Sequence, residues 1–166
     1  MKLKVLDQDN IRVIGIDPGT IAMGYGVIDW DGQNFSYVES GIVIPNKSDS
    51  LPLRLYAIYQ EITTIIDRCM PHELAVEDPF VAKNVRSAFT IGQAQALAFI
   101  SASRVGIDVW RYSPATIKQS VTDYGRSSKD QVKEMVLSLL QVDLVTNKDD
   151  ETDALAVALC HIQHRT

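Results

Sequence analysis

Residues 11–17, IRVIGID, form an apolar, β-branched run that stops at Pro18-Gly19. A run of this kind reads as a buried strand, and the Pro-Gly pair ends it. Residues 24–30 and 35–44 read as two further strands, and Asp31-Gly32 between them is a strong hairpin signal. The first three strands are therefore expected to form an antiparallel meander. Over 51–69, apolar residues recur at Leu51, Leu55, Ile58, Ile62, Ile65, Ile66 and Cys69, which is helical spacing. Ser50 is expected to cap this helix, with Pro52 in its first turn. Residues 73–78, ELAVED, predict a short buried strand ending in acid, and 107–112 a fifth strand. The helix predicted between them, 87–104, is rich in Ala, Gly and Ser, which let another backbone approach closely. Ser113-Pro114 opens a short helix, Ser128 opens another with Gln131 as capping-box partner, and a last helix spans about 149–163. The order β-β-β-α-β-α-β-α-α-α predicts an α/β chain with a mixed five-stranded sheet: an antiparallel meander plus parallel strands, flanked by helices on both faces. Right-handed crossovers would set the later strands parallel to the first. With no repeat or linker, 166 residues suit one domain over 1–166.

Acids fall where such a sheet builds its sites, outside the carboxyl ends of parallel strands. Asp17 ends the first strand and Glu77 the fourth; if these strands are neighbours, the two carboxylates converge. The last helix opens with Asp149, Asp150, Glu151 and Asp153. Asp150 and Asp153 share a face at i and i+3, near a helix N-terminus that favours negative charge. Each acid alone has a structural reading: Asp17 organising a turn, Glu77 capping a loop, the others starting a helix. Their joint placement on one edge points to chemistry. Crowded carboxylates repel and take up protons unless divalent cations neutralise them. Hard cations such as Mg²⁺ prefer carboxylate oxygens, and a pair of them activates water against a phosphodiester.

The net charge of −5 argues against nucleic acid, because phosphate binding draws on clustered Lys and Arg. The distribution weakens that objection. Bases gather at Lys83–Arg86 and at Lys118, Arg126, Lys129 and Lys133, while acids gather at the N-terminus and in the last thirty or so residues. Cys69 and Cys160 sit in apolar helical patterns and form no C-x-x-C pair, so buried free thiols in a reducing cytoplasm are expected. No apolar run reaches the roughly 18 residues of a membrane span. The N-terminal MKLKVLDQDN lacks a signal core.

Three segments resemble one known family. IGIDPGTIAMGYGVI at 14–28, AVEDPFVAKNVRSAFTIGQAQALA at 75–98 and DETDALAVALCH at 150–161 are similar, in order and spacing, to the three motifs of RuvC resolvases. The resemblance implies an RNase H-like fold and a homodimer that nicks two strands of a four-way DNA junction symmetrically. It implies Mg²⁺ dependence with Mn²⁺ as a substitute, two ions per site, and partnership with a branch-migration helicase complex. Asp17, Glu77, Asp150 and Asp153 match the family's acids; Asp149 and Glu151 are neighbouring alternatives for the fourth. Phe80 matches an aromatic residue acting at the junction centre, where stacking on an unpaired base is worth ~1–3 kcal/mol. Lys83, Asn84 and Arg86, on the same loop, are candidates for holding phosphate. Lys118 and Lys129 match lysines tied to DNA contact and catalysis, and Arg126 lies in the turn before Lys129. The helix at 87–104 matches the family's dimer-forming element.

Two departures stand out. Ten residues precede the first strand, leaving open a flexible arm or an added edge strand. The chain also stops soon after its last helix without a basic tail, which with the acidic balance suggests weaker non-specific DNA binding. His72, His161 and His164 are read as surface or packing residues; His161 is the nearest exception, being further along the helix of Asp153. Three other readings compete: a YqgF-type RNA-processing nuclease, an actin or sugar-kinase type ATPase in which Asp17-Pro18-Gly19-Thr20 would be a phosphate loop, and a junction binder without catalysis. The last would keep Phe80 and the lysines but lose acids, and the ATPase would need a second such domain.

Overall fold

A computed structural model describes residues 10–78, 85–143 and 149–165. The N-terminal extension 1–9 and the segment 79–84, with Phe80, Lys83 and Asn84, lie outside them. The meander is present as β1 (Ile11–Asp17), β2 (Met23–Trp30) and β3 (Phe35–Val43). β1 and β2 pair antiparallel with Ile11 opposite Trp30 and Asp17 opposite Gly24. In the turn between β2 and β3, the Asp31 carboxylate accepts from the backbone N–H of Gln33 at 2.9 Å and of Asn34 at 2.7 Å. Gly32 takes φ 94°, a conformation that suits glycine.

There follow α1 (Leu51–Cys69), β4 (Glu73–Glu77), α2 (Val85–Val105), β5 (Asp108–Tyr112), α3 (Pro114–Thr122), α4 (Lys129–Leu140) and α5 (Asp150–His164). The strand order is β3-β2-β1-β4-β5, with β4 parallel to β1 and β5 parallel to β4. β1 and β4 are thus neighbours, as convergence of Asp17 and Glu77 requires. One expectation is corrected. Ser50 stands at the N-cap of α1, but its hydroxyl makes no capping bond; its carbonyl accepts from the Arg54 N–H at 3.0 Å, and Pro52 removes one of the N–H groups a cap would serve. The caps of α3 and α4 do form: Ser113 Oγ accepts from Thr116 N–H, and Ser128 with Gln131 closes a complete capping box.

Alternation along the strands divides the core. Ile14, Ile16, Val27, Leu74 and Val76 face α1 and α2, while Val13, Ile28 and Ala75 face α3, α4 and α5. Helix α5 is buried nearly all round from Ala154 to Ile162, as a central helix must be. Three strand glycines let it settle on the sheet. A Cβ on Gly15 would lie 2.1 Å from the Ala154 carbonyl, one on Gly24 1.9 Å from that of Asp150, and one on Gly26 2.6 Å from the Leu155 side chain. The first turn of α5 is thereby laid against β1 and β2 beside the end of β1. Cys69 and Cys160 are buried and free.

Candidate active site

Ile16 pairs with Val76 across the parallel strands, so the next residues, Asp17 and Glu77, end side by side. By alternation with Val13 and Ala75, both side chains lie on the α5 face. Asp150 and Asp153 come from the first turn of α5, held there by the glycine path. Asp17, Glu77 and Asp153 line a cleft of about 220 Å³ together with Lys118 and Lys129, over an apolar floor of Pro114, Ile117, Val132 and Ala156. Asp17 also borders a second, wider groove of about 620 Å³, formed by the loop 18–22, by Arg86, Ser87, Thr90 and Ile91 of α2, and by Asp150. Asp17 is the residue the two depressions share.

The electrostatics follow from this crowding. Burial, then repulsion from Glu77, Asp153 and Asp150, pushes the Asp17 carboxyl up to about 8. Glu77 is raised by burial and by Asp153, against the pull of Lys129 and Lys118. Asp153 is raised by burial, and Lys129 offsets part of that. Lys129 Nζ stands 3.3 Å from Asp153 Oδ2, and this carboxylate raises the lysine's own pKa. The neighbouring acids point elsewhere. Glu151 accepts a 2.5 Å hydrogen bond from Ser40 Oγ on β3, and Asp149 pairs with Lys133 at 3.1 Å.

The sequence-predicted residues Asp17, Glu77, Asp150, Asp153, Lys118 and Lys129 are therefore brought together. Arg86 lies in the adjoining groove. Arg126 is exposed on the turn between α3 and α4 and lines neither depression. Phe80, Lys83 and Asn84 fall outside the described residues. The histidines are packing residues: His161 is buried against Tyr112 and Glu73, and His72 Nδ1 accepts from the Arg12 N–H at 2.8 Å.

The donor set is all carboxylate, which suits a hard cation rather than zinc or copper. As the side chains stand, no group of three His, Cys, Asp or Glu among the described residues is arranged to hold a metal ion. Lys129, 3.3 Å from Asp153, puts positive charge beside the carboxylates.

Sequence reading missed the supports of the site. Gly15, Gly24 and Gly26 were legible as glycines inside strands, a sign of close backbone approach. Gln95, a buried amide flanked by Ala94 and Ala96 on α2, was a second unread signal.

Adjacent parallel strands that both end in acid, below a helix whose first turn adds two more, define an RNase H-like α/β fold with a carboxylate site. A family model described as "Crossover junction endodeoxyribonuclease RuvC" matches residues 13–161. The chain belongs to the RuvC family. A protein of that name from Dehalococcoides mccartyi is 43% identical over 155 residues, covering 93% of this chain and 94% of its own. One from Magnetococcus marinus is 41% identical, covering 93% and 86%. Among solved structures, the T. thermophilus RuvC in complex with Holliday junction substrate superposes with a TM-score of 0.87 at 27% identity, covering 93% and 94% of the two chains. The yeast mitochondrial Holliday junction resolvase, at 13% identity and a TM-score of 0.63, shares the fold.

Proposed function

We propose that this chain is a structure-selective endonuclease that resolves four-way DNA junctions by paired, symmetric nicks, acting as a single nuclease domain over residues 1–166. The observation that carries the reading is the convergence of Asp17, Glu77 and Asp153 in one cleft, in a chain whose motifs match the resolvase family across residues 13–161.

Asp17, Glu77, Asp150 and Asp153 would hold two Mg²⁺ ions, with Mn²⁺ as a substitute. Bound there, such ions supply Lewis-acid activation of water and charge stabilisation at the leaving oxygen. The remaining work falls to the chain. Positive charge held there would offset the burial and crowding that raise these carboxyls. Lys129, 3.3 Å from Asp153, would neutralise a phosphate oxygen of the strand being cut. Lys118, on the other wall, neutralises a second. The apolar floor of Ile117, Val132 and Ala156 limits water and so strengthens each of these interactions. Arg86, in the groove next to Asp17, and Arg126, on the α3–α4 turn, hold the backbone on either side. Phe80 would stack on an unpaired base at the junction centre, and Lys83 and Asn84 would hold phosphate.

Two-fold symmetry in a homodimer built through α2 would present two such clefts to a two-fold junction. The exposed Phe89 and Ile100 on α2 support that arrangement. A branch-migration helicase complex is the partner this activity calls for. No helix among the described residues is long and apolar enough to cross a membrane, in keeping with a cytoplasmic protein that works on DNA.

The deciding experiment incubates the protein with synthetic four-way junctions with and without Mg²⁺ or Mn²⁺. Metal-dependent nicks at symmetric positions on opposing strands are expected. Binding without nicking in Mn²⁺, or a preference for structured RNA, would replace this reading.

A further inference from the structure

Glu77 differs from the other acids of the cleft in how it is held. Asp150 and Asp153 ride on a helix locked to the sheet, whereas Glu77 is the last residue of a strand. No described residue hydrogen-bonds its carboxylate. What the structure fastens is the backbone at the strand end that carries it.

Behind it lies a polar cluster that the chemistry above leaves without a role. Gln95 of α2 is buried, only 6% exposed, among alanines. Its Nε2 donates to the Glu77 carbonyl at 3.2 Å and to Asp78 Oδ1 at 2.9 Å. Arg111 of β5 donates to the same Asp78 oxygen from Nε at 3.0 Å and from Nη2 at 2.7 Å. The Asp78 N–H donates to the Tyr112 carbonyl at 2.8 Å, extending the β4–β5 ladder one residue past the strand. The residue after Glu77 is thus fastened by backbone and side chain, and the Glu77 carbonyl is fastened from α2. A buried glutamine with both amide hydrogens used this way, in a helix otherwise packed by small side chains, is a specific device rather than filling.

We infer that Gln95, with Arg111 acting through Asp78, is a positioning residue that holds the Glu77 carboxylate at the distance from Asp17 that divalent-cation binding needs. The inference rests on the carboxylate site proposed above. Fixing a ligand's orientation typically alters metal affinity 10–100-fold.

The test compares Gln95→Met, Asp78→Ala and Asp78→Asn in the full chain. Mn²⁺ affinity is measured by calorimetry, and junction nicking is followed against Mg²⁺ concentration. For Gln95→Met and Asp78→Ala, a drop in Mn²⁺ affinity of roughly tenfold or more is expected. The Mg²⁺ half-saturation of nicking should rise in parallel, the rate at saturating Mg²⁺ should largely recover, and metal-free junction binding should not change. Asp78→Asn retains the accepting oxygen and should restore most of the Mn²⁺ affinity. A merely structural role would lower the metal-free melting temperature and leave the Mn²⁺ affinity of the folded protein unaltered. That result overturns the inference. Should Gln95→Met fail to fold, Arg111→Gln on the exposed side of the cluster must shift Mn²⁺ affinity in the same direction by less, and no shift there overturns it. Failure of the wild-type protein to nick junctions would strike the proposed function instead, while Mn²⁺ binding still judges the clamp.

Discussion

Strand β4 carries two glutamates on one face, Glu73 at its start and Glu77 at its end, and the structure treats them in opposite ways. Glu73 meets partners. His161 Nε2 lies 2.5 Å from its carboxylate, Arg165 Nε 3.0 Å, and His161 Nδ1 lies 2.8 Å from the Tyr112 hydroxyl. Burial lowers the His161 pKa, so the neutral ring donates from Nε2 to Glu73 and accepts the Tyr112 hydroxyl at Nδ1. At the other end Glu77 meets Asp17 and Asp153, all three held above their ordinary carboxyl range. The same helix, α5, closes both clusters. Where the chain resolves its own charges the acid is structural; where it leaves them unresolved the acid awaits something from outside.

The sharpest way to break this contrast is to neutralise the unresolved end. Asp17→Asn, Glu77→Gln or Asp153→Asn should abolish nicking while sparing junction binding, and normal nicking by any one of them would dissolve the assignment. The metal-free protein should respond oppositely. With the Asp17 carboxyl at about 8 in the fold against its ordinary 3.8, folding is most favoured below about pH 4 and loses that contribution as pH rises towards 8. The metal-free melting temperature should therefore fall across this window. Asp17→Asn or saturating Mg²⁺ should flatten the fall, and a temperature that climbs with pH would show the acids to be apart.

Next in size is the support beneath the acids. Gly15→Ala sets a methyl 2.1 Å from the Ala154 carbonyl, so α5 must lift from β1. Overpacking of this kind costs about 1–3 kcal/mol, and here it also displaces Asp150 and Asp153. Both stability and nicking should drop, and loss of one without the other would separate the glycine path from the site.

Much of this contrast was legible beforehand, and its unread part has a physical reason. β1 could be read because a strand buried on both faces leaves a continuous apolar run, and Asp17 only jointly with Glu77 and the acids opening the last helix, since alone it could merely organise the Pro-Gly turn. α1 followed from its spacing, and the α4 cap from Ser128 and Gln131. The roles of Glu151 and Asp149 could not be read. Four acids in five residues look alike until the sheet beneath fixes which turn of the helix faces Asp17. The glycines were visible as residues, but the α5 atoms they make room for lie more than a hundred residues away. His161 could be judged a packing residue, yet its bond to Glu73 spans 88 positions and has no local trace.

The resolved end is tested by His161→Ala. It strands the Tyr112 hydroxyl and one side of Glu73, each worth about 1–3 kcal/mol when left unpaired and buried. Denaturant unfolding should shift by that order, while nicking below the transition temperature persists. Loss of nicking at full stability would mean the two ends communicate through α5.

The smallest effect sharpens the boundary of the site. Three acids are candidates for the proposed fourth ligand, and the structure disperses them. Asp150 acts on Asp17 and borders the groove, Glu151 is bound to Ser40, and Asp149 is paired with Lys133. If placement decides function, Asp150→Asn should impair nicking severely. Glu151→Gln should leave the Mg²⁺ dependence of nicking unchanged, because its amide can keep the Ser40 bond. Asp149→Asn removes one exposed ion pair, worth about 0–1 kcal/mol, and should alter stability barely and nicking not at all. The ranking matters more than any single value. Were Glu151→Gln to impair nicking more than Asp150→Asn, the helix would have to turn on the sheet when cations arrive, and the glycines beneath it would be a track rather than a seat.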